Sequence, residues 1–227
     1  MSSTATPLGQ DAASASAGAA LADLPAGFQA PARDSQRSFR LLLQAMSFPG
    51  RLVSLALPGF EHPRELAPAA AALLTALPDA QTRLWLSASL ARQRLLLDYI
   101  RFHTGCETID NERAERAELA WVGAADATDL VLSGFATGTD LQPHDGASLF
   151  IEVTQLAAHA VPDATVSMTL TGPGLPAPAA LSVSGLPREF WQTRQAARAA
   201  FPRGVDLVLT CGEQIVALPR TTELEVH

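Results

Sequence analysis

From Asp34 to Met46 the chain sets Phe39, Leu42, Leu43 and Met46 at i, i+3, i+4 and i+7, the spacing of one apolar helical face. Asp34 is the expected N-cap of that helix, and Pro49-Gly50 ends it. A second helix is predicted over Glu65 to Leu77, rich in alanine and closed by Pro78. Thr82 to Ser87 reads as a strand and Leu90 to His103 as an amphipathic helix, with Leu96, Leu97, Ile100 and His103 on one side and Arg94, Asp98 and Arg101 on another. Charged residues from Glu112 to Glu118 predict a solvated connection, followed by a strand at Leu119 to Val122 and a helix near Ala127 to Phe135.

The C-terminal third is read in the strand period. Ser148 to Val153 and Thr165 to Leu170 predict strands, Leu181 to Val183 a short extended piece, and Pro187 to Ala200 a helix with Phe190, Ala197 and Phe201 facing inward. Val205 to Leu209 then forms a hairpin with Gln214 to Leu218, which Pro219 stops because it has no N–H for a ladder, and a final strand follows. Leu170 to Leu175 looks like a phosphate loop, but Pro173 removes one backbone N–H and no helix pattern follows, so it reads as a turn. Alternating strands and helices predict an α/β fold, layered α/β/α around a mixed sheet. Residues 1–31, rich in Ala, Ser, Gly and Pro, read as a flexible tail, and residues 32–227 as a single domain.

Composition narrows the functional classes. The formal net charge is −7 and the basic residues are scattered, which argues against a nucleic-acid partner. No stretch approaches a membrane span, and no basic residue precedes Arg33, so a cytoplasmic location without signal peptide is expected. All sixteen basic residues are arginine. Without lysine the chain has no side-chain amine for a Schiff base with pyridoxal phosphate or a carbonyl substrate, and no Gly-Lys-Ser/Thr phosphate loop.

Candidate chemistry is sparse. His103 and Cys106 form an H-x-x-C, half of a zinc pattern, but no second pair follows: Cys211 has no neighbour, and His144 stands with Asp145 alone. No metal is expected. Cysteine catalysis needs Cys106 or Cys211 beside a histidine base, which a sequence does not display; Cys211, after a buried strand, reads as a small core residue. The loop Gly138 to Ala147, carrying Thr139, His144 and Asp145, is the best candidate for recognising a ligand or protein. Arg101, Arg203 and Arg220 are candidates for bidentate phosphate binding, against their ordinary reading as surface ion-pair partners.

Five blocks in order carry a family resemblance: Ser38 to Gly50, Arg101-Phe102-His103-Thr104, Gly138 to Ala147, Leu170 to Gly174, and Phe201 to His227. The chain from about Asp34 onward resembles the H subunit of the bacterial carbon-phosphorus lyase core complex, the PhnH family of phosphonate metabolism. Ser148 and Leu175 depart from it, standing where threonine and isoleucine are expected. The resemblance implies a fold like that of pyridoxal-phosphate-dependent transferases without their active site, and a homodimer when isolated. It also implies assembly with the G, I and J subunits. With G, I and L, such a subunit takes part in forming ribose 1-alkylphosphonate 5-triphosphate from ATP and an alkylphosphonate, before the J subunit cleaves the carbon-phosphorus bond. It implies no catalytic residue and no cofactor in this chain, whose own contribution is surface. The alternative is a freestanding hydrolase or transferase using a Cys/His pair or a metal.

Overall fold

The computed structural model describes residues 23–227. The predicted tail falls outside them up to residue 22, while the rest of that stretch lies on the body: Phe28 is buried, and Gly27 bridges to Glu61.

A six-stranded sheet forms the middle of the protein, in the order β1-β9-β8-β4-β3-β2. Its strands are β1 (Val53–Ser54), β2 (Leu84–Leu86), β3 (Leu119–Val122), β4 (Ser148–Glu152), β8 (Asp206–Cys211) and β9 (Gln214–Leu218). The strands β2, β3, β4 and β8 pair in parallel, and β9 is antiparallel to both β8 and β1, so it alone runs backward. A second, four-stranded antiparallel sheet has the order β10-β6-β7-β5, from β5 (Gln155–Ala157), β6 (Val166–Thr171), β7 (Ala179–Ser184) and β10 (Glu223–Val226).

Alternation along the central strands explains the layering. Leu149, Ile151, Leu207, Leu209, Val216 and Leu218 face one core, and Phe150, Val208, Ile215 and Ala217, between them in sequence, face the other. The second core is roofed by helices: α1 (Pro31–Ser47), α2 (Pro68–Ala76), α3 (Ala88–Ala91) and α4 (Arg94–Thr104). Residues 69–74 of α2 are all buried, as expected of a helix apolar on every side. Trp121 stacks on Phe150 at 4.0 Å beneath it and donates its indole N–H to the Ala70 carbonyl. Truncating either ring to alanine costs about 3–5 kcal/mol.

The first core is covered by the four-stranded sheet, through Val166, Met168, Leu170, Leu181 and Val183, and by α5 (Arg188–Ala197), through Phe190 and Trp191. The predicted mixed sheet and α/β class are present, but the layer expected to be helical is largely β. The cause lies in β6 and β7, whose alternating apolar residues need a hairpin partner rather than a helix.

Several elements differ from expectation. Helix α1 begins at Pro31, and Asp34 serves it by accepting the Ala30 N–H at 2.9 Å. Its buried face is Ser38, Leu42 and Ala45, so Phe39 and Leu43 are half-exposed instead of buried. The small residues let α1 approach α2 closely, and Ser38 goes inside because its hydroxyl donates to the Asp34 carbonyl. Helix α2 starts at Pro68, not Glu65. The predicted Leu90–His103 helix is interrupted at Arg92-Gln93, where Gln93 is extended and caps α4. Residues 127–135 form two short 3₁₀ turns, Ala127–Asp129 and Leu132–Gly134, in place of a helix. On α5 the inner residues are Phe190, Trp191 and Arg194, while Ala197 and Phe201 face solvent. The stretch after Leu170 is the turn of the β6–β7 hairpin, as read from Pro173. Among the described residues no helix is long and apolar enough to cross a membrane.

Candidate functional site

The loop between Phe135 and β4 is built from behind. Arg220, one residue past the proline that ends β9, turns back and grips Asp206 at the start of β8, with Nη2 2.5 Å from Oδ2. The two side chains are 13% and 14% exposed. The Arg220 backbone N–H donates to Asp206 Oδ1 at 2.7 Å, and its Nη1 and Nη2 donate to the Pro143 and Gly146 carbonyls. Thr137 and Gly146 bridge antiparallel, and the Gly204 N–H donates to the Thr137 carbonyl at 2.8 Å. Gly146 is required by close approach: a Cβ there meets the Gly204 carbonyl oxygen at 2.3 Å.

The front of the loop is free. Gly138 takes φ 73°, and the Gln142 N–H donates to Thr139 Oγ1 at 2.9 Å while the Thr139 N–H donates back to the Gln142 carbonyl. That turn lifts Leu141 to 93% exposure. His144 and Asp145, both exposed, stand 3.6 Å apart, and Arg203 meets Asp140 at 3.2 Å. Five of the seven sequence candidates thus gather in one region: Thr139, His144, Asp145, Arg203 and Arg220. The arginines do not stand ready for phosphate, since Asp206 and two carbonyls occupy Arg220, and Asp140 pairs with Arg203.

Arg101 and His103 lie elsewhere, in the last turn of α4. His103 Nε2 is 3.0 Å from the Pro25 carbonyl, and the ring packs on Tyr99 at 4.3 Å. Arg101 lines a shallow surface cavity with Arg94, Asp98 and Cys106. Cys106 is 1% exposed and donates its thiol to the Thr82 carbonyl; burial, with Asp79 adding, pushes its pKa up to about 11. Burial and then Glu152 push the Cys211 thiol up as well. Both are the opposite of an activated nucleophile. Among the described residues no three His, Cys, Asp or Glu side chains gather as a metal cluster.

Two residues escaped the sequence reading. Leu141 belonged to the loop but carried no signal of its own beyond being apolar in a polar run. Arg194 carried one, because it falls one turn after Phe190 and Trp191 on the inner face of α5. Burial pulls its pKa down, Asp206 pushes it back, and Arg198 and Arg220 pull it down further.

Comparison with known proteins agrees over nearly the whole described chain. The family described as bacterial phosphonate metabolism protein (PhnH) matches residues 26–225. The chain is 34% identical over 201 residues to the alpha-D-ribose 1-methylphosphonate 5-triphosphate synthase subunit PhnH of Rhizobium meliloti (strain 1021), covering 87% of this chain and 94% of that one. It is 32% identical over 199 residues to HtxG of Stutzerimonas stutzeri, whose name assigns it provisionally to the C-P lyase subunits, covering 88% of this chain and 89% of that one. With five resemblance blocks in order, a match over residues 26–225 and two relatives aligned almost end to end, the chain belongs to the PhnH family of bacterial phosphonate metabolism.

Proposed function

We propose that this chain is the partner-binding H subunit of a carbon-phosphorus lyase core complex. It assembles with the G, I and J subunits. With G, I and L it takes part in forming ribose 1-alkylphosphonate 5-triphosphate from ATP and an alkylphosphonate, contributing surface rather than a nucleophile or base. The observation that carries this reading is Leu141. A leucine at 93% exposure on a loop braced by Arg220 and Arg203 is a preorganised apolar knob, of the kind that anchors an interface without an ordering cost. Phe39 and Leu43, one turn apart on α1, add a second exposed apolar strip. A homodimer of the isolated chain fits the same surfaces. A kinship with pyridoxal-phosphate-dependent transferases remains part of the proposal, and the lack of lysine supports a member without their Schiff-base chemistry.

The test is co-purification. The tagged chain, expressed with the neighbouring genes of its operon, is expected to bring down G, I and J subunits in stoichiometric amounts. Recovery of the tagged chain alone at near-physiological salt overturns the reading.

A further inference from the structure

One buried cation lacks a carboxylate of its own. Arg194, 3% exposed, is within reach of the charges of Arg198 and Arg220, and the carboxylate that offsets its charge, Asp206, is already bound by Arg220. Its Nη2 donates to the Pro219 carbonyl at 2.8 Å, while its Nε has no acceptor among the described residues. A buried guanidinium with an unused donor is a costly arrangement unless a ligand completes it.

Arg194 lines a half-open cavity of about 410 Å³ between α5, β6 and β10. Thr222, 1% exposed, lines the same cavity, as does Arg198; among the described residues neither the Thr222 hydroxyl nor the Arg198 Nε has a partner. The Thr169 and Thr171 side chains add hydroxyls from β6; that of Thr169 is 2.7 Å from His227 Nε2. The carboxylates, Glu223 and Glu225, are exposed at the rim, Glu223 being 3.3 Å from Arg198 Nη2. Arg194 and Thr222 are thus the buried polar residues of the lining, while Arg198 and Glu223 pair toward its outer side. Guanidinium groups from a helix and hydroxyls from β6 and the turn before β10, all lining one cavity, suit a tetrahedral oxyanion, which accepts hydrogen bonds in several directions, better than a planar carboxylate. The cavity also exceeds the volume of one such group, leaving room for an organic substituent.

We propose that the cavity between α5, β6 and β10 is a binding site for a tetrahedral phosphoryl or phosphonyl group, held by Arg194 and Thr222 and by Arg198, which exchanges its pair with Glu223 for the ligand. The site is a property of this chain and does not depend on the subunit reading above. Binding favours the folded state by mass action, so it is read as a rise in Tm.

The experiment measures Tm of the full chain against inorganic phosphate, methylphosphonate, acetate and chloride at constant ionic strength. A saturable rise with phosphate or methylphosphonate is expected, and none with acetate or chloride. A rise with phosphate alone assigns the site to phosphate or phosphate esters; a rise with methylphosphonate as well admits phosphonates. Thr222→Val, nearly isosteric, and Arg198→Gln should each weaken apparent affinity by about tenfold, the scale of one charge-assisted hydrogen bond. Arg194→Gln should abolish binding, and the two milder variants carry the test if that one fails to fold. Equal shifts with chloride or acetate, no shift with either phosphorus oxyanion, or unchanged affinity in both Thr222→Val and Arg198→Gln overturns the proposal.

Discussion

Arg220 and Asp206, fourteen residues apart in sequence, meet with Nη2 2.5 Å from Oδ2 and Nε 3.2 Å from both carboxylate oxygens, so that the end of the β8–β9 hairpin and the Gly138–Ala147 loop become one unit. Removing one partner of so covered a pair strands the other. Arg220→Met is expected to cost about 3 kcal/mol in urea unfolding. Arg220→Lys should not restore it, because one ammonium cannot serve a carboxylate and two carbonyls in a fixed plane. In both variants hydrogen exchange at residues 137–147 should rise to that of an open loop; native-like protection would show that Arg220 does not hold it.

Leu141 offers the cleanest separation of interface from stability. A side chain this exposed contributes little to folding, so Leu141→Ser should shift stability by no more than about 0.5 kcal/mol. It should nevertheless cut recovery of partner subunits in the co-purification. Undiminished recovery would move the interface to the Phe39–Leu43 strip, where Phe39→Ser with Leu43→Ser is the corresponding pair.

The cysteines should be inert in the folded protein. With the Cys106 pKa near 11 rather than 9, its thiolate at pH 8 is scarcer by about 100-fold, before limited access is counted. Alkylation with iodoacetamide is expected to be at least that much slower in native than in urea-unfolded protein. A thiol that reacts quickly in the native state would revive cysteine catalysis.

Glu152 gives a pH signature. Burial raises its pKa more than the Ala67 N–H, donated to Oε1 at 3.1 Å, lowers it. The folded state therefore binds this proton more tightly than the unfolded chain. The stabilisation is fully present below the unfolded glutamate value of about 4.3 and is lost as pH rises through the higher folded value. Glu152→Gln keeps an acceptor for Ala67 without the charge. It should be more stable than the parent at neutral pH, with the gap closing in acid; equal pH profiles of unfolding would remove Glu152 from the account.

What the sequence made legible follows the reach of each signal. The β8–β9 hairpin was readable because Gly212 and Pro219 are local punctuation and the apolar run between them is long. The α1 face was misjudged because periodicity counts apolar residues without asking what else they are for. Phe39 and Leu43 complete the pattern, yet the tighter fit of Ser38 and Ala45 takes the inside. The break at Arg92-Gln93 has neither Gly nor Pro to mark it. The candidate loop is recognisable from its glycines, and ion pairing is the ordinary reading of Arg203 and Arg220, but which carboxylates they meet, Asp140 and Asp206, is decided only by the fold. Arg194 shows the same limit, with its cavity assembled from three distant segments.

The central strands bury side chains on both faces, so the middle of the six-stranded sheet is covered on both sides. Substitutions that leave the core intact are therefore confined to the outer layers, the loops and the strand edges. The knob at Leu141 and the strip on α1 can be rewritten by substitution while the core beneath stays the same. The exposed surface and the core are separable under substitution.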